Sequence, residues 1–140
     1  MPKGPEGQLY KRLKENLKTC HITRIESRVN LGIPDCLIAL EQLGKFVMVE
    51  LKVVKKGLKV NLSPHQIAFH LKHAELKCPT FILVEYHPAL SKKATGNELL
   101  LYSGAQAAEV FEKGVTVEPL HRWTLPRVDW SGVCERLGAI

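Results

Sequence analysis

The sequence predicts an α/β (α+β) fold in which a central mixed β-sheet is flanked by helices, and three observations carry the prediction. Leu9, Leu13 and Leu17 recur every fourth residue and form one apolar stripe. Two apolar runs, Cys36 to Leu40 and Lys45 to Val54, are separated only by Glu41-Gln42-Leu43-Gly44, the layout of a hairpin. Helix-like and strand-like segments interleave along the rest of the chain, which argues for one sheet with helices on its faces.

Taken in order, Pro5 suits the first turn of a helix and Glu6 its positive end, so an amphipathic helix is expected over 5–18. Ile22 to Ser27 reads as a short strand, and Asn30-Leu31-Gly32 as a turn leading into Ile33-Pro34-Asp35. The second hairpin run, from Phe46 to Val54, is nearly continuously apolar, as expected of a strand covered on both faces. Lys55 to Asn61 reads as a basic, mobile loop. Ser63 and Pro64 supply an N-cap and first helical residue for a helix from His65 to Leu76. Phe81 to Tyr86 is a strand, His87 to Asn97 a loop and Glu98 to Tyr102 a strand. Ala105 to Lys113 is a helix closed by Gly114, and Val115 to Val117 is a last short strand.

At 140 residues one domain over 1–140 is the economical expectation. A hydrophobic content of 45% with 24% charged residues excludes an intrinsically disordered composition. No apolar run approaches the roughly 20 residues of a membrane span, and Met1 to Glu6 lack the apolar stretch of a signal peptide. A cytoplasmic protein with no membrane partner is therefore expected. Cys20, Cys36, Cys78 and Cys134 are scattered with no CxxC pair, so they read as reduced thiols rather than a zinc knuckle or disulfide framework. The net charge of +6 fits a polyanionic partner, and its placement says more than its size. Between Lys45 and Lys77 seven lysines stand against two acids, Glu50 and Glu75.

Side chains alternate across a strand, so Glu50 and Lys52 share one face while Val49, Leu51 and Val53 share the other. A carboxylate and an ammonium inside an apolar strand cost several kcal/mol unless they pair, bind a metal or face a wet cleft. The hairpin carries Asp35, at the start of the neighbouring strand, to the side of Glu50. Two hard oxygen ligands of this kind suit Mg²⁺, with Mn²⁺ as a substitute, because the ion takes one or two protein carboxylates and completes its shell with water and phosphate. Lys52 is placed to orient the attacking water or to oppose charge on the phosphate oxygens. Lys55, Lys56 and Lys59 follow directly, where a phosphate backbone would lie.

The strings Gly32-Ile33-Pro34-Asp35, Val49-Glu50-Leu51-Lys52 and Ser63-Pro64-His65-Gln66, in that order and on those elements, resemble PD-(D/E)XK nucleases, and most closely the VRR-NUC (virus-type replication-repair nuclease) group. The resemblance spans roughly residues 6 to 86. It implies a restriction-endonuclease-like core over about 5–102, followed by a C-terminal accessory segment over about 103–140. It implies Asp35 and Glu50 as metal ligands, the backbone carbonyl of Leu51 as a third, Lys52 as the catalytic lysine, and Gln66 reaching in from its helix. Family members often add a glutamate from the first helix. Glu6 lies on the stripe of Leu9 and Leu13 and is a candidate fourth carboxylate, although the helix dipole accounts for it nearly as well. Lys55, Lys56, Lys59 and His65 would contact nucleic acid.

The function so implied is Mg²⁺-dependent hydrolysis of DNA phosphodiester bonds, on branched DNA such as a four-way junction, in repair or recombination within a bacterial or virus-infected cell. Two coordinated cuts imply a homodimer, and no small-molecule cofactor is expected. The alternative from another class is a non-catalytic basic nucleic-acid-binding module on the same fold. A third is a structural subunit whose tail docks a partner. Carboxylates at 35 and 50 favour the enzyme, since without a cation they repel phosphate. His70 and His73 share a helix face but lack further ligands for zinc. Trp123 and Trp130 are expected in a core or an oligomer contact rather than stacked on bases.

Overall fold

The computed structural model describes residues 4–25, 31–88 and 96–139. Its elements are α1 (Pro5–Asn16), β1 (Cys20–Arg24), β2 (Cys36–Leu40), β3 (Lys45–Val54), α2 (Pro64–Glu75), β4 (Thr80–Tyr86), β5 (Glu98–Ser103), α3 (Ala107–Lys113), β6 (His121–Thr124) and α4 (Trp130–Leu137). The six strands form one sheet in chain order, every neighbouring pair antiparallel except β3 and β4. A parallel pair needs a crossover, and α2 supplies it.

Alternation along the strands sorts the core into two layers. On one face Val47, Val49 and Leu51 of β3 and Phe81 and Leu83 of β4 pack with Leu9 and Leu13 of α1 and Val133 and Leu137 of α4. On the other, Ile82, Val84, Leu100 and Tyr102 pack with Val60, Leu62 and Val110, with Ile67 of α2 against them. The first five residues of β4 are apolar or β-branched and buried on both sides, as a central parallel strand requires. Leu13 is fully buried, so Leu13→Ala would cost about 2–5 kcal/mol.

The predicted hairpin over 36–54 is present with the expected bounds, turned through Gly44 at φ 60°. The first helix stops at Asn16 instead of residue 18, because the chain becomes extended at Leu17. β1 begins at Cys20, two residues before the expected strand, whose last residues (26–27) lie outside the described residues. Cys20 and Ile22 are buried while His21 and Thr23 are exposed, the period-two signature of a half-covered strand.

Two expectations are corrected. Val115 to Val117 is not a strand: Gly114–Thr116 is a 3₁₀ turn. Val115 donates its N–H to the Leu58 carbonyl at 2.9 Å, and the final strand comes later, at His121–Thr124. The loop over 55–61 is exposed from Lys55 to Lys59, with Val60 buried at its end. The second correction is that Cys20 and Cys134 form a disulfide, so not all four cysteines are free thiols; Cys36 and Cys78 are. Linear spacing cannot reveal this pair, because α4 reaches β1 only through the packing of both on the same face of the sheet. In the chain-entropy picture, closing so long a loop restricts the unfolded state by about 4–5 kcal/mol. The segment after β5 thus supplies a strand of the sheet, a helix of the core and a cross-link.

Candidate metal centre

β3 runs five residues beyond its last pairing with β2, at Val49, while β4 continues alongside it. The free edge so created holds Glu50, Leu51 and Lys52. There Asp35, Glu50, Lys52 and Gln66, with Glu6 at the start of α1, line one hollow of about 320 Å³. The predicted metal ligands, the lysine and the glutamine therefore converge.

Glu50 is 1% exposed, and Lys52 Nζ lies 3.9 Å from its Oε2. The same oxygen accepts from Gln66 Nε2 at 3.0 Å. Gln66 does two things at once. Its Oε1 accepts from the Ser63 N–H at 2.9 Å, its own N–H donates to Ser63 Oγ at 3.1 Å, and this capping box locks the rotamer that aims the amide at Glu50. The Ser-x-x-Gln spacing made that cap legible in the sequence.

Glu50 Oε1 is buried and receives no hydrogen bond among the described residues. Its carboxyl is pushed up to about 9, first by burial, then by a hydrogen bond shared with Asp35 and by repulsion from that acid, with Lys52 pulling the other way. Between two carboxyls a proton or a divalent cation would satisfy that oxygen and relieve the repulsion together, which a neutral donor does not. The residues present thus fit a divalent ion. Among the described residues no three His, Cys, Asp or Glu side chains form a ready-made ligand set. Glu6 shares the hollow without closing on the pair, so the protein would supply few oxygens and leave room for water and phosphate, the arrangement Mg²⁺ prefers.

Asp35 is held by its place at the head of β2. Its Oδ2 accepts the Leu51 N–H at 2.8 Å, and its carbonyl accepts from Ile25 at 2.8 Å. Extending the β2–β3 register by one hydrogen-bonded pair sets Leu51 opposite Pro34. Proline has no N–H, so it cannot fill the Leu51 carbonyl that points to the same side as the Leu51 N–H. Pro34 thereby keeps the predicted backbone ligand out of the sheet's ladder, a role the sequence reading missed. Gly32 is needed for close approach: a Cβ there would overlap the His65 carbonyl in the first turn of α2.

The basic residues separate. Lys55 follows β3 and lines a cleft beside α1. Lys56 and His65 are exposed and line neither hollow. Lys59 sits at the far end of the loop, lining a different hollow with Phe111 and Gly114. His70 is buried against Thr80 Oγ1 at 2.6 Å and is held down at about 4 by burial, while His73 stacks on Phe69 at 3.9 Å. A second buried acid escaped the sequence reading. Glu85, in the apolar strand β4, pairs with Arg12 through one oxygen and with His87 Nε2 through the other at 2.8 Å. The signal that marked Glu50, a charge inside an apolar run, was available for it too. No helix among the described residues is long and apolar enough to cross a membrane. No family model matches this chain, and no curated protein matches it significantly.

Proposed function

We propose that this protein is a Mg²⁺-dependent nuclease of the PD-(D/E)XK type that hydrolyses DNA phosphodiester bonds. The observation that carries the reading is the buried Glu50 carboxylate beside Asp35, with one oxygen lacking a donor among the described residues and an ammonium and an amide fixed on the other. A merely structural buried acid has both oxygens satisfied; this one is arranged to receive a cation.

Asp35, Glu50 and the Leu51 carbonyl would hold the ion. When bound, it would make water easier to deprotonate and offset charge on the scissile phosphate. Lys52, fixed by Glu50, is placed to orient the attacking water and to oppose negative charge that builds on the phosphorus oxygens. Gln66 holds Glu50 in the rotamer that faces Asp35. Hydrolysis then adds water across one phosphorus–oxygen bond, with the proton of water passing to solvent and the leaving oxygen taking a proton in return. The same reading extends to branched DNA and a homodimer with two sites, in which paired cuts would be made.

The test incubates purified protein with Mg²⁺, Mn²⁺ or chelator and with linear, flapped, four-way and single-stranded DNA. Cleavage by the parent that Asp35→Asn and Glu50→Gln both lose, with DNA binding kept, is the expected result. Tight binding without cleavage under either ion would favour a non-catalytic basic module. Mass in solution with and without junction DNA reads the dimer.

A further inference from the structure

Beside the metal hollow lies a larger cleft of about 760 Å³, between α1 and the segment joining β6 to α4. The two adjoin, since Pro5 lines both. Side chains three apart leave a strand on opposite faces, so Lys52 lines the hollow and Lys55 the cleft from the two sides of the sheet, and the two spaces meet at the start of α1.

The walls of the cleft differ in chemistry. One is apolar, made by Leu125, Pro126 and Trp130. Trp130 is half-buried and packs against the main core, which fixes its ring and leaves part of it on the cleft. The lining also carries Lys11 and Lys55, both exposed, against one exposed carboxylate, Glu15. The floor is Glu85 with Arg12 and His87 held on its two oxygens, and His87 is anchored by its N–H to the Val54 carbonyl at 2.9 Å. Pairing makes this floor polar but close to neutral. An aromatic wall, a lysine rim and a preorganised polar floor are the three requirements of a nucleotide: a face to stack on, a phosphate contact and donors and acceptors for a base edge. The volume falls within the roughly 300–1,000 Å³ range of small-ligand sites, too small for a duplex.

We infer that this cleft holds an unpaired nucleotide strand next to the scissile phosphate, with a base stacked on Trp130 and its phosphates against Lys11 and Lys55. The inference rests on the nuclease reading and deepens it: the preferred substrate has single-stranded character beside the cut, as at a flap or an opened branch. It also departs from the sequence expectation, in which Trp130 was a core or oligomer residue.

The experiment uses full-length Asp35→Asn protein, so that substrate survives, titrated with oligothymidylate and with a blunt duplex of equal length. Single-stranded DNA should quench tryptophan emission and the duplex should not. Trp123 is buried and supplies a constant background. In Trp130→Phe the quench should vanish while binding persists. Trp130→Ala should weaken oligothymidylate binding at least about fivefold, the low end for loss of one base–aromatic stack. Because that variant could unfold, Lys11→Ala and Lys55→Ala, both at exposed positions, provide a second route. In the otherwise unaltered enzyme each should lower the flap-to-duplex cleavage ratio. Failure of the parent to cleave any DNA would defeat the nuclease reading, with the quench still deciding what the cleft binds. Parental cleavage with an unchanged ratio in the lysine variants and no quench would overturn the cleft assignment alone.

Discussion

Glu50 and Glu85 are buried glutamates on neighbouring strands, 1% and 8% exposed, and they are resolved in opposite ways. Glu85 faces the α1 side and meets Arg12 and His87, one on each oxygen. Glu50 faces the α2 side, meets another acid, and keeps one oxygen without a donor. Among the described residues, both oxygens of the first carboxylate are met by side chains and only one oxygen of the second is, by Lys52 and Gln66. Burial of a carboxylate in a strand therefore does not by itself identify a site. The chemistry of the neighbours does, because a carboxylate satisfied by its own cations has little left to offer a metal ion.

Substitution should separate the two sharply. Asp35→Asn or Glu50→Gln should lower cleavage on the order of a thousandfold, since the ion's share of transition-state stabilisation is several kcal/mol. Glu85→Gln should leave the cleavage of linear duplex within a few-fold in single-turnover assays. Comparable losses at all three positions would erase the contrast.

Stability should invert the ranking. Glu85→Gln strands Arg12, which is partly exposed, and should cost about 1–2 kcal/mol in denaturant unfolding. Glu50→Gln should leave the magnesium-free protein about as stable as the parent at neutral pH, where the raised carboxyl already holds its proton, and more stable than the parent above pH 9, where the parent carries a buried charge beside Asp35. A destabilised Glu50→Gln protein would mean that Lys52 and Gln66 already satisfy the carboxylate.

The pH dependence follows from the raised Glu50 carboxyl. Its folded value, about 9, exceeds the ordinary 4.5, so the folded state holds the proton more tightly than the unfolded chain. The stability tied to that proton is complete below about 4.5 and is lost as pH rises through 9. Without metal, the melting temperature of the parent should fall over this window more than that of Glu50→Gln. Mg²⁺ competes with the proton and should restore more at pH 8.5 than at pH 6. Parallel melting curves would remove the proton from the account.

The smallest effect concerns the loop lysines. Lys55 lines the cleft that adjoins the hollow, whereas Lys59 lines a separate hollow at the end of α3. Lys55→Ala should lower the salt dependence of DNA binding by about one unit of slope, and Lys59→Ala should leave it unchanged.

By itself the sequence determined the local and periodic features. The leucine stripe of α1, the hairpin with its bounds, the Ser63-Pro64 helix start and the two-residue alternation that puts Glu50 and Lys52 on one face all depend on neighbours within a few positions. The hairpin also brought Asp35 within reach, since its register follows from a short turn. Tertiary structure decided the rest. Whether a buried acid meets a cation or another acid depends on which helix covers its face: α1 brings Arg12 to Glu85, and α2 brings an amide to Glu50. The freedom of the Leu51 carbonyl depends on Pro34 standing across a sheet edge. The joining of Cys20 to Cys134, the entry of β6 into the sheet and the placement of Trp130 and Lys55 around one cleft depend on segments far apart in the chain. Contacts of that kind arise from burying shared apolar surface, which is non-directional and leaves no periodic trace in the order of residues.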